Sequence, residues 1–362
     1  MGVEINVLLK KMVEHGASDL HVRSDGPAYL RINGNIKMMG SSAMTSQEVE
    51  SLAFASMNQR VKNIFNEKHE TDFSVDGGDL GRFRFNVFRQ RSKVCFSVRH
   101  IPSRIPTFEE LRIPAEPLKK LAANERGLVL VTGITGSGKS STLAAMIEHI
   151  NGSMEGHIIT IEDPVEFVYK DKKSIISQRE IGSDTHSFVE ALRAAMRQDP
   201  DVILVGEMRD LETTRAAITA AETGHLVFGT VHTINAVQTI SRIVDLYPPH
   251  QQTQVRMQLS DTLKGVISQR LLPCTRGSRI PAVEVLVVTA HVRKMIEDNH
   301  LLGIAQAIQK GAFYGMQSFN QSLVKLHKEG QVKLEDIVAT ATNPDDVLLA
   351  VRGIEQDIET KK

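Results

Sequence analysis

Gly133-Ile134-Thr135-Gly136-Ser137-Gly138-Lys139-Ser140 satisfies the spacing G-x-x-x-x-G-K-[ST] at every fixed position. Glycines in such a run let successive backbone N–H groups converge on an anion. A lysine at the next position supplies a point charge for the β- and γ-phosphates of a nucleotide, and the Ser140 hydroxyl is an oxygen donor of the kind Mg²⁺ takes. The candidate nucleotide-binding set is therefore Gly133, Thr135, Gly136, Ser137, Gly138, Lys139, Ser140 and Ser141. The context is the one this chemistry requires. Leu128–Val131 precedes the loop as a short apolar run, and Ser141–Ile150 follows with Leu143, Met146, Ile147 and Ile150 on one helical face. A strand, a glycine loop and a helix start in that order place the positive end of the helix at the phosphates.

Two acidic stretches could complete a phosphate-hydrolysing site. Asp201-Val202-Ile203-Leu204-Val205-Gly206-Glu207 is an apolar strand that ends in an acid, the Walker B arrangement, in which Glu207 holds Mg²⁺ through water while Ser140 ligates it directly. The competing reading makes Glu207 a cap for the next helix. Ile161-Glu162-Asp163-Pro164-Val165-Glu166 concentrates acids at another strand end, where one of them can orient the attacking water. The pattern leaves open which acid that is. His225 and His232 bracket the run Leu226–Val231. His232 follows the strand end that faces the γ-phosphate position, which suits a hydrogen-bonding sensor, and no further ligand cluster accompanies the pair to suggest zinc.

Arg82 and Arg84 alternate with Phe83 and Phe85, while Lys93 and Arg99 alternate with Val94, Phe96 and Val98. Period-two patterning puts the basic side chains on one sheet face and the apolar ones on the other. With no counter-acids in view nearby, this face is expected to be cationic and to suit nucleotide phosphates held by a neighbouring subunit.

These residues need elements to carry them. Residues 1–100 have an α+β pattern: a helix over Val3–His15 ended by Gly16, a hairpin turn at Asn33-Gly34, a helical pattern from Thr45 to Glu67, and three alternating strands, Thr71–Asp76, Arg82–Phe88 and Lys93–His100. Prolines crowd Ile101–Pro117, the expected interdomain linker. From residue 118 to 362 short continuous apolar runs alternate with helical segments such as Ser187–Arg197 and Leu211–Glu222. Such runs are expected of strands buried on both faces of a parallel sheet, whose carboxyl ends bind ligands. After Pro248 the chain is expected to be mainly helical, with one more strand at Val283–Val288.

Bulk composition narrows the class. At 362 residues the chain holds two domains with real cores, and its formal net charge of zero argues against a nucleic-acid-coating surface. Cys95 and Cys274 are too few for a disulfide framework or zinc site and suit a reducing compartment. The N-terminus does not have the form of a signal peptide, and no apolar run has the length of a membrane span.

Four ordered boxes carry a resemblance: Gly133–Ser140, Ile159–Glu166, Val205-Gly206-Glu207-Met208-Arg209-Asp210 and Gly224–Thr233. Together with Gly81-Arg82-Phe83-Arg84 and Ser18-Asp19-Leu20-His21 they resemble the secretion ATPase family, and within it the type IV pilus retraction motors of the PilT and PilU kind. The resemblance implies an α/β chain: a PAS-like α+β N-terminal domain, then a RecA-like P-loop ATPase domain with a helical C-terminal region. It implies ATP and Mg²⁺ as cofactors and a homo-hexameric ring. The expected partners are an inner-membrane pilus platform protein and a paralogous retraction ATPase, with no nucleic acid. The expected location is cytoplasmic, peripheral to the inner membrane. By the same resemblance Glu166 is the general base, with Glu162 as the fallback. Glu207 is the Walker B acid, His225 and His232 fill the histidine box, and Arg82, Arg84 and Arg99 are sensors or fingers. An extra N-terminal domain and a tetracysteine motif, both usual in extension motors, have no counterpart here, which points to retraction. His291-Val292-Arg293-Lys294-Met295-Ile296-Glu297-Asp298 stands where PilT proteins carry Ala-Ile-Arg-Asn-Leu-Ile-Arg-Glu, so PilT-like and accessory PilU-like roles both stay open.

Overall fold

A computed structural model describes residues 4–32, 34–101, 104–275 and 277–353. The chain divides into two compact units, Met1–Arg104 with Glu166–Val168, and Ile105–Val165 with Tyr169–Lys362. Asn33 and the residues Met1–Val3, Pro102 and Ser103 lie outside the described residues, and with them part of the expected first turn, first helix and linker.

The first unit runs α1 (Ile5–Glu14), β1 (Asp19–Arg23), β2 (Gly26–Ile32), β3 (Asn35–Met44), α2 (Ser46–Ala55), α3 (Gln59–Lys68), β4 (Glu70–Asp76), β5 (Arg82–Gln90) and β6 (Lys93–Ile101). Its strands form one antiparallel sheet in the order β3-β2-β1-β6-β5-β4. Ile32 pairs with Asn35 across the β2–β3 hairpin, whose Gly34 has φ +83°. Along β5, Phe83, Phe85 and Val87 are buried while Arg82, Arg84 and Asn86 are half-buried, the alternation of a sheet with one core face. Phe65 and Phe96 join them in the core. The helical pattern over Thr45–Glu67 is two helices rather than one. Thr45 and Glu48 form a capping box for α2, and the Asn58 side chain accepts from the Val61 N–H to start α3.

The second unit begins with α4 (Phe108–Leu111) and α5 (Ala115–Ala122). Phe108 and Leu118 are buried and Thr107 caps α4 with Glu110, so most of the proline-rich stretch folds as part of this unit. There follow β7 (Gly127–Thr132), α6 (Lys139–Ser153), β8 (His157–Glu162), β9 (Ile175–Glu180), α7 (Phe188–Ala195), β10 (Val202–Val205), α8 (Leu211–Glu222), β11 (Leu226–Val231), α9 (Ala236–Asp245) and α10 (Pro249–Thr262). The unit closes with β12 (Leu263–Pro273), β13 (Arg279–Val287), α11 (Ala290–Glu297), α12 (Leu301–Lys310), α13 (Phe319–Lys328), α14 (Leu334–Thr340) and α15 (Pro344–Val351).

The sheet order is β13-β12-β7-β11-β10-β8-β9. All neighbours are parallel except β12 and β13. Every residue of β7, β10 and β11 is buried, which explains their unbroken apolar runs. After Pro248 the chain is mainly helical as expected, but β12 is a second strand there beside the expected one. It is an eleven-residue strand between β13 and β7 in the site-bearing sheet. It starts directly at the end of α10, and Lys264, Gly265, Ser268, Gln269 and Arg270 interrupt its apolar pattern.

Candidate active site

The parallel register brings four strand ends to one edge. Thr132 pairs with Val231, Gly229 with Val205, and Val205 with Ile161. The residues that follow are Gly133, His232, Gly206-Glu207 and Glu162-Asp163, so the carboxyl ends of adjacent strands present the glycine loop, a histidine and two groups of acids.

The loop's backbone requires its glycines. Gly133, Gly136 and Gly138 have φ of +146°, +78° and +94°, values that favour glycine. A Cβ on Gly133 would stand 2.4 Å from Ser137 Oγ and 2.5 Å from the Gln269 carbonyl oxygen. Lys139, at the first turn of α6, is buried, and its ammonium donates to the carbonyls of Gly133 (2.9 Å) and Ile134 (3.1 Å). Ser137 Oγ is buried without a hydrogen-bond partner. The ammonium, the orphaned hydroxyl and the helix start are a donor set suited to phosphate oxygens. Thr135 and Gly136 are exposed at the loop tip, while Ser140 and Ser141 are half-buried on α6.

Glu207 does not cap the next helix. Asp210 does so, accepting from the Thr213 N–H at 2.8 Å. The Glu207 Oε1 atom instead takes His232 Nε2 at 2.9 Å and Arg209 Nε at 2.5 Å. Arg209 is the partner that sequence reasoning missed, although it lies within the quoted box. Its hydrogen bond to Glu207 and the carboxylate's charge push its pKa up. The segment before it is strapped to β11: Thr230 Oγ1 donates to the Gly206 carbonyl (2.5 Å), and the Met208 N–H to the Thr230 carbonyl (2.9 Å). Gly229 makes room, since a Cβ there would meet Met208 Sδ at 2.5 Å. A lone glycine inside the apolar run Leu226–Val231 was the available signal of that close approach.

The acid box separates into two settings. Glu162 is buried, accepts from Thr160 Oγ1 at 2.7 Å and takes a longer bond from Gln178 Nε2 at 3.3 Å. Burial, followed by the negative charge of Glu162, pushes the Tyr169 hydroxyl pKa well up. Glu166 is exposed. His225 is not brought to this edge. It lies at the amino end of β11, bonded through Nδ1 to the Ala220 carbonyl at 2.9 Å. A strand of that length puts it roughly 20 Å from His232.

The arginines of the first unit do have counter-acids, contrary to the sequence expectation. Arg84 Nη2 lies 3.4 Å from Asp72 Oδ1 on β4, and Arg99 Nε lies 2.8 Å from Asp19 Oδ1 on β1, which Arg31 also approaches. Antiparallel pairing brings these distant acids alongside, which linear spacing does not show. Burial raises the Asp19 pKa, but hydrogen bonds from Arg99 and Ser18 outweigh it and hold the carboxyl below its usual range. Arg82 opens β5 beside them, half-buried, and Arg84 pairs with Arg99 in the register.

Among the described residues no group of three or more His, Cys, Asp or Glu could hold a metal by itself, and the oxygens on offer at this edge are the Ser140 hydroxyl and the Glu207 carboxylate. That donor set fits Mg²⁺, which is held by few protein oxygens together with water and phosphate.

The family described as "Type II/IV secretion system protein" matches residues 3–339. The chain belongs to this family. It is 44% identical over 344 residues to the type IV pilus retraction ATPase PilT of Pseudomonas aeruginosa, covering 95% of this chain and 100% of that protein. The type IV pilus ATPase PilU of the same organism is 39% identical over 359 residues, covering 99% of this chain and 94% of that protein. A crystal structure of the pilus retraction motor PilT with bound ADP superposes with a TM-score of 0.90 at 46% identity, covering 95% of this chain and 98% of that one. The DotB ATPase of Legionella pneumophila superposes with a TM-score of 0.77 at 25% identity, covering 93% and 96%.

Proposed function

We propose that this chain is a hexameric P-loop ATPase that couples ATP hydrolysis to retraction of type IV pili. The observation that carries the reading is the contact between Glu207 and His232 on the sheet edge that also presents the glycine loop, in a chain whose full-length relatives include a retraction ATPase. Lys139 and the loop N–H groups bind the phosphates, and Ser140 and Glu207 hold Mg²⁺. When bound, the ion neutralises phosphate charge as the γ-phosphoryl leaves. Glu166, exposed to solvent, orients the attacking water. Glu162, bonded to Thr160, is the fallback for that role. His232 links the Walker B acid to the loop after β11, so a shift at the phosphate is transmitted to α9. Arg82, Arg84 and Arg99 stabilise phosphate charge on a neighbouring subunit's nucleotide, and Arg84 exchanges Asp72 for it. His225, at the opposite sheet edge, has no part in this site.

The ring works on an inner-membrane pilus platform protein from the cytoplasmic side, beside a paralogous retraction ATPase. No helix among the described residues is long and apolar enough to cross a membrane; in this reading the platform protein makes the membrane contact. Deleting the protein and imaging surface pili tests the reading: excess pili that never shorten are expected, and loss of pili would contradict it. The departure at His291–Asp298, largely on α11, favours an accessory PilU-like ring as the second reading. In that case retraction fails only when the paralogue is also removed or the load is raised.

A further inference from the structure

We propose that Glu284 is a positioning residue for hydrolysis: with Ser268 it ties the loop that carries His232 to the strand that delivers the glycine loop. The proposal rests on the ATPase reading above. Thr132, Ser268 and Glu284 stand at one level on β7, β12 and β13, as successive register partners. All three are buried. Thr132 Oγ1 donates to Ser268 Oγ at 3.0 Å, Ser268 is hydrogen-bonded to Glu284, and Glu284 Oε1 accepts the Ala236 N–H at 2.8 Å. The row therefore begins at the residue before Gly133 and ends at the first residue of α9, four positions after His232.

The rest of that loop is tethered as well. Arg270 Nη2 donates to the Ile234 carbonyl at 3.4 Å, while Nη1 donates to the Thr340 carbonyl at the end of α14 at 2.7 Å. Thr233 and Thr239 hydroxyls share a bond of 2.7 Å. His232, next to these anchors, reaches Glu207. Burying a carboxyl to hold one backbone N–H and one hydroxyl, even with the Arg270 charge acting on it, is an expensive way to build a sheet, and an apolar residue would fill the space without that penalty. Burial indeed pushes the Glu284 pKa up. What a carboxyl adds is a directional acceptor at the start of α9, where the helix end favours negative charge. It fixes the loop relative to Thr132, and so fixes His232 relative to the phosphate loop. A loosened loop misplaces the sensor without removing any group that binds nucleotide.

The test uses the full chain. Glu284→Ala is expected to lower kcat for ATP roughly 10- to 100-fold while KM and the affinity for ADP stay within about threefold, since misplacement by an ångström affects the chemical step most. Glu284→Gln, whose amide oxygen still accepts the Ala236 N–H, is expected to recover most of the rate. A Glu284→Ala variant with wild-type kcat, equal losses in kcat and ADP affinity, or Glu284→Gln as slow as Glu284→Ala would overturn the proposal. If Glu284→Ala does not fold, Ser268→Ala decides: a smaller fall in kcat at unchanged ADP affinity supports the tie, and an unchanged kcat overturns it. A wild-type chain that hydrolyses no ATP would count against the ATPase reading instead. Amide exchange at Ile234–Val237 then judges the tie alone: faster in Glu284→Ala than in wild type or Glu284→Gln if it holds, equal in all three if it does not.

Discussion

Gly133→Ala should weaken nucleotide binding far more than Gly136→Ala, although both glycines belong to the same loop. At Gly136, φ is +78° and a Cβ would meet nothing within 4 Å. An alanine there carries only backbone strain, about 1–3 kcal/mol. Gly133, at φ +146°, carries strain and a collision: 2.4 Å to Ser137 Oγ and 2.5 Å to the Gln269 carbonyl. The serine can turn away. The carbonyl cannot, because β12 is held by its pairing with β7 and by the Gln269 side chain, which donates to Thr142 Oγ1 on α6 at 2.8 Å. Overpacking of this kind adds about 1–3 kcal/mol. The loop escapes by moving, and nucleotide must push it back, so the extra energy surfaces as lost affinity. Gly133→Ala is therefore expected to bind a fluorescent ADP analogue roughly 5- to 150-fold more weakly than Gly136→Ala, since about 1.4 kcal/mol is tenfold. Equilibrium titration measures this, and thermal unfolding confirms that both variants are folded. Equal affinities for the two variants would refute the packing argument.

Glu166→Gln is expected to spare ATP binding and cut turnover by roughly 10²–10⁴, the range of a general acid–base group. Glu207→Gln should weaken the Mg²⁺ dependence as well, so identical Mg²⁺ titrations for the two would erase the division of roles. An active Glu166→Gln beside a dead Glu162→Gln would move the base to Glu162. Asp19 has a depressed pKa in the folded chain, so it stabilises above the usual value of 3.8 and loses that contribution as pH falls through its folded value. Asp19→Asn should melt below wild type at pH 7 and converge with it in acid; a constant gap across that range would show that the ion pair is not the cause. Arg84→Ala and Lys139→Ala should each be nearly inactive, and rings mixed from both should recover part of the activity, since one junction then pairs an intact Lys139 with a neighbour's intact Arg84. Failure to recover in rings shown by mass to be mixed would place Arg84 in its own subunit's site.

What was legible in the sequence was local. The glycine loop, its strand and its helix occupy consecutive residues, and the buried parallel strands announce themselves as unbroken apolar runs. Glu207 and His232 could be placed at one edge because His232 directly follows such a run and Glu207 follows one after Gly206 alone. Their contact could not be read, because it depends on the register between β10 and β11 and on the room left by Gly229. β12 was hidden for a related reason. Its residues Ser268, Gln269 and Arg270 are polar because they serve neighbouring elements, and polarity in a central strand defeats a pattern built on hydrophobicity. Asp72 and Asp19 lie far along the chain from Arg84 and Arg99, and only the antiparallel pairing reveals them as partners. The break between α2 and α3 was marked by Asn58, a residue suited to capping, within a span otherwise periodic enough to pass for one helix.

Steady-state hydrolysis of ATP by the purified chain, compared with Lys139→Ala in the presence of Mg²⁺, tests the central claim most directly. The account predicts turnover by the wild type that requires Mg²⁺, and its abolition together with weakened nucleotide binding in the variant, because no other buried ammonium serves the glycine loop among the described residues. Normal turnover by Lys139→Ala would contradict the assignment of this sheet edge as the site of hydrolysis.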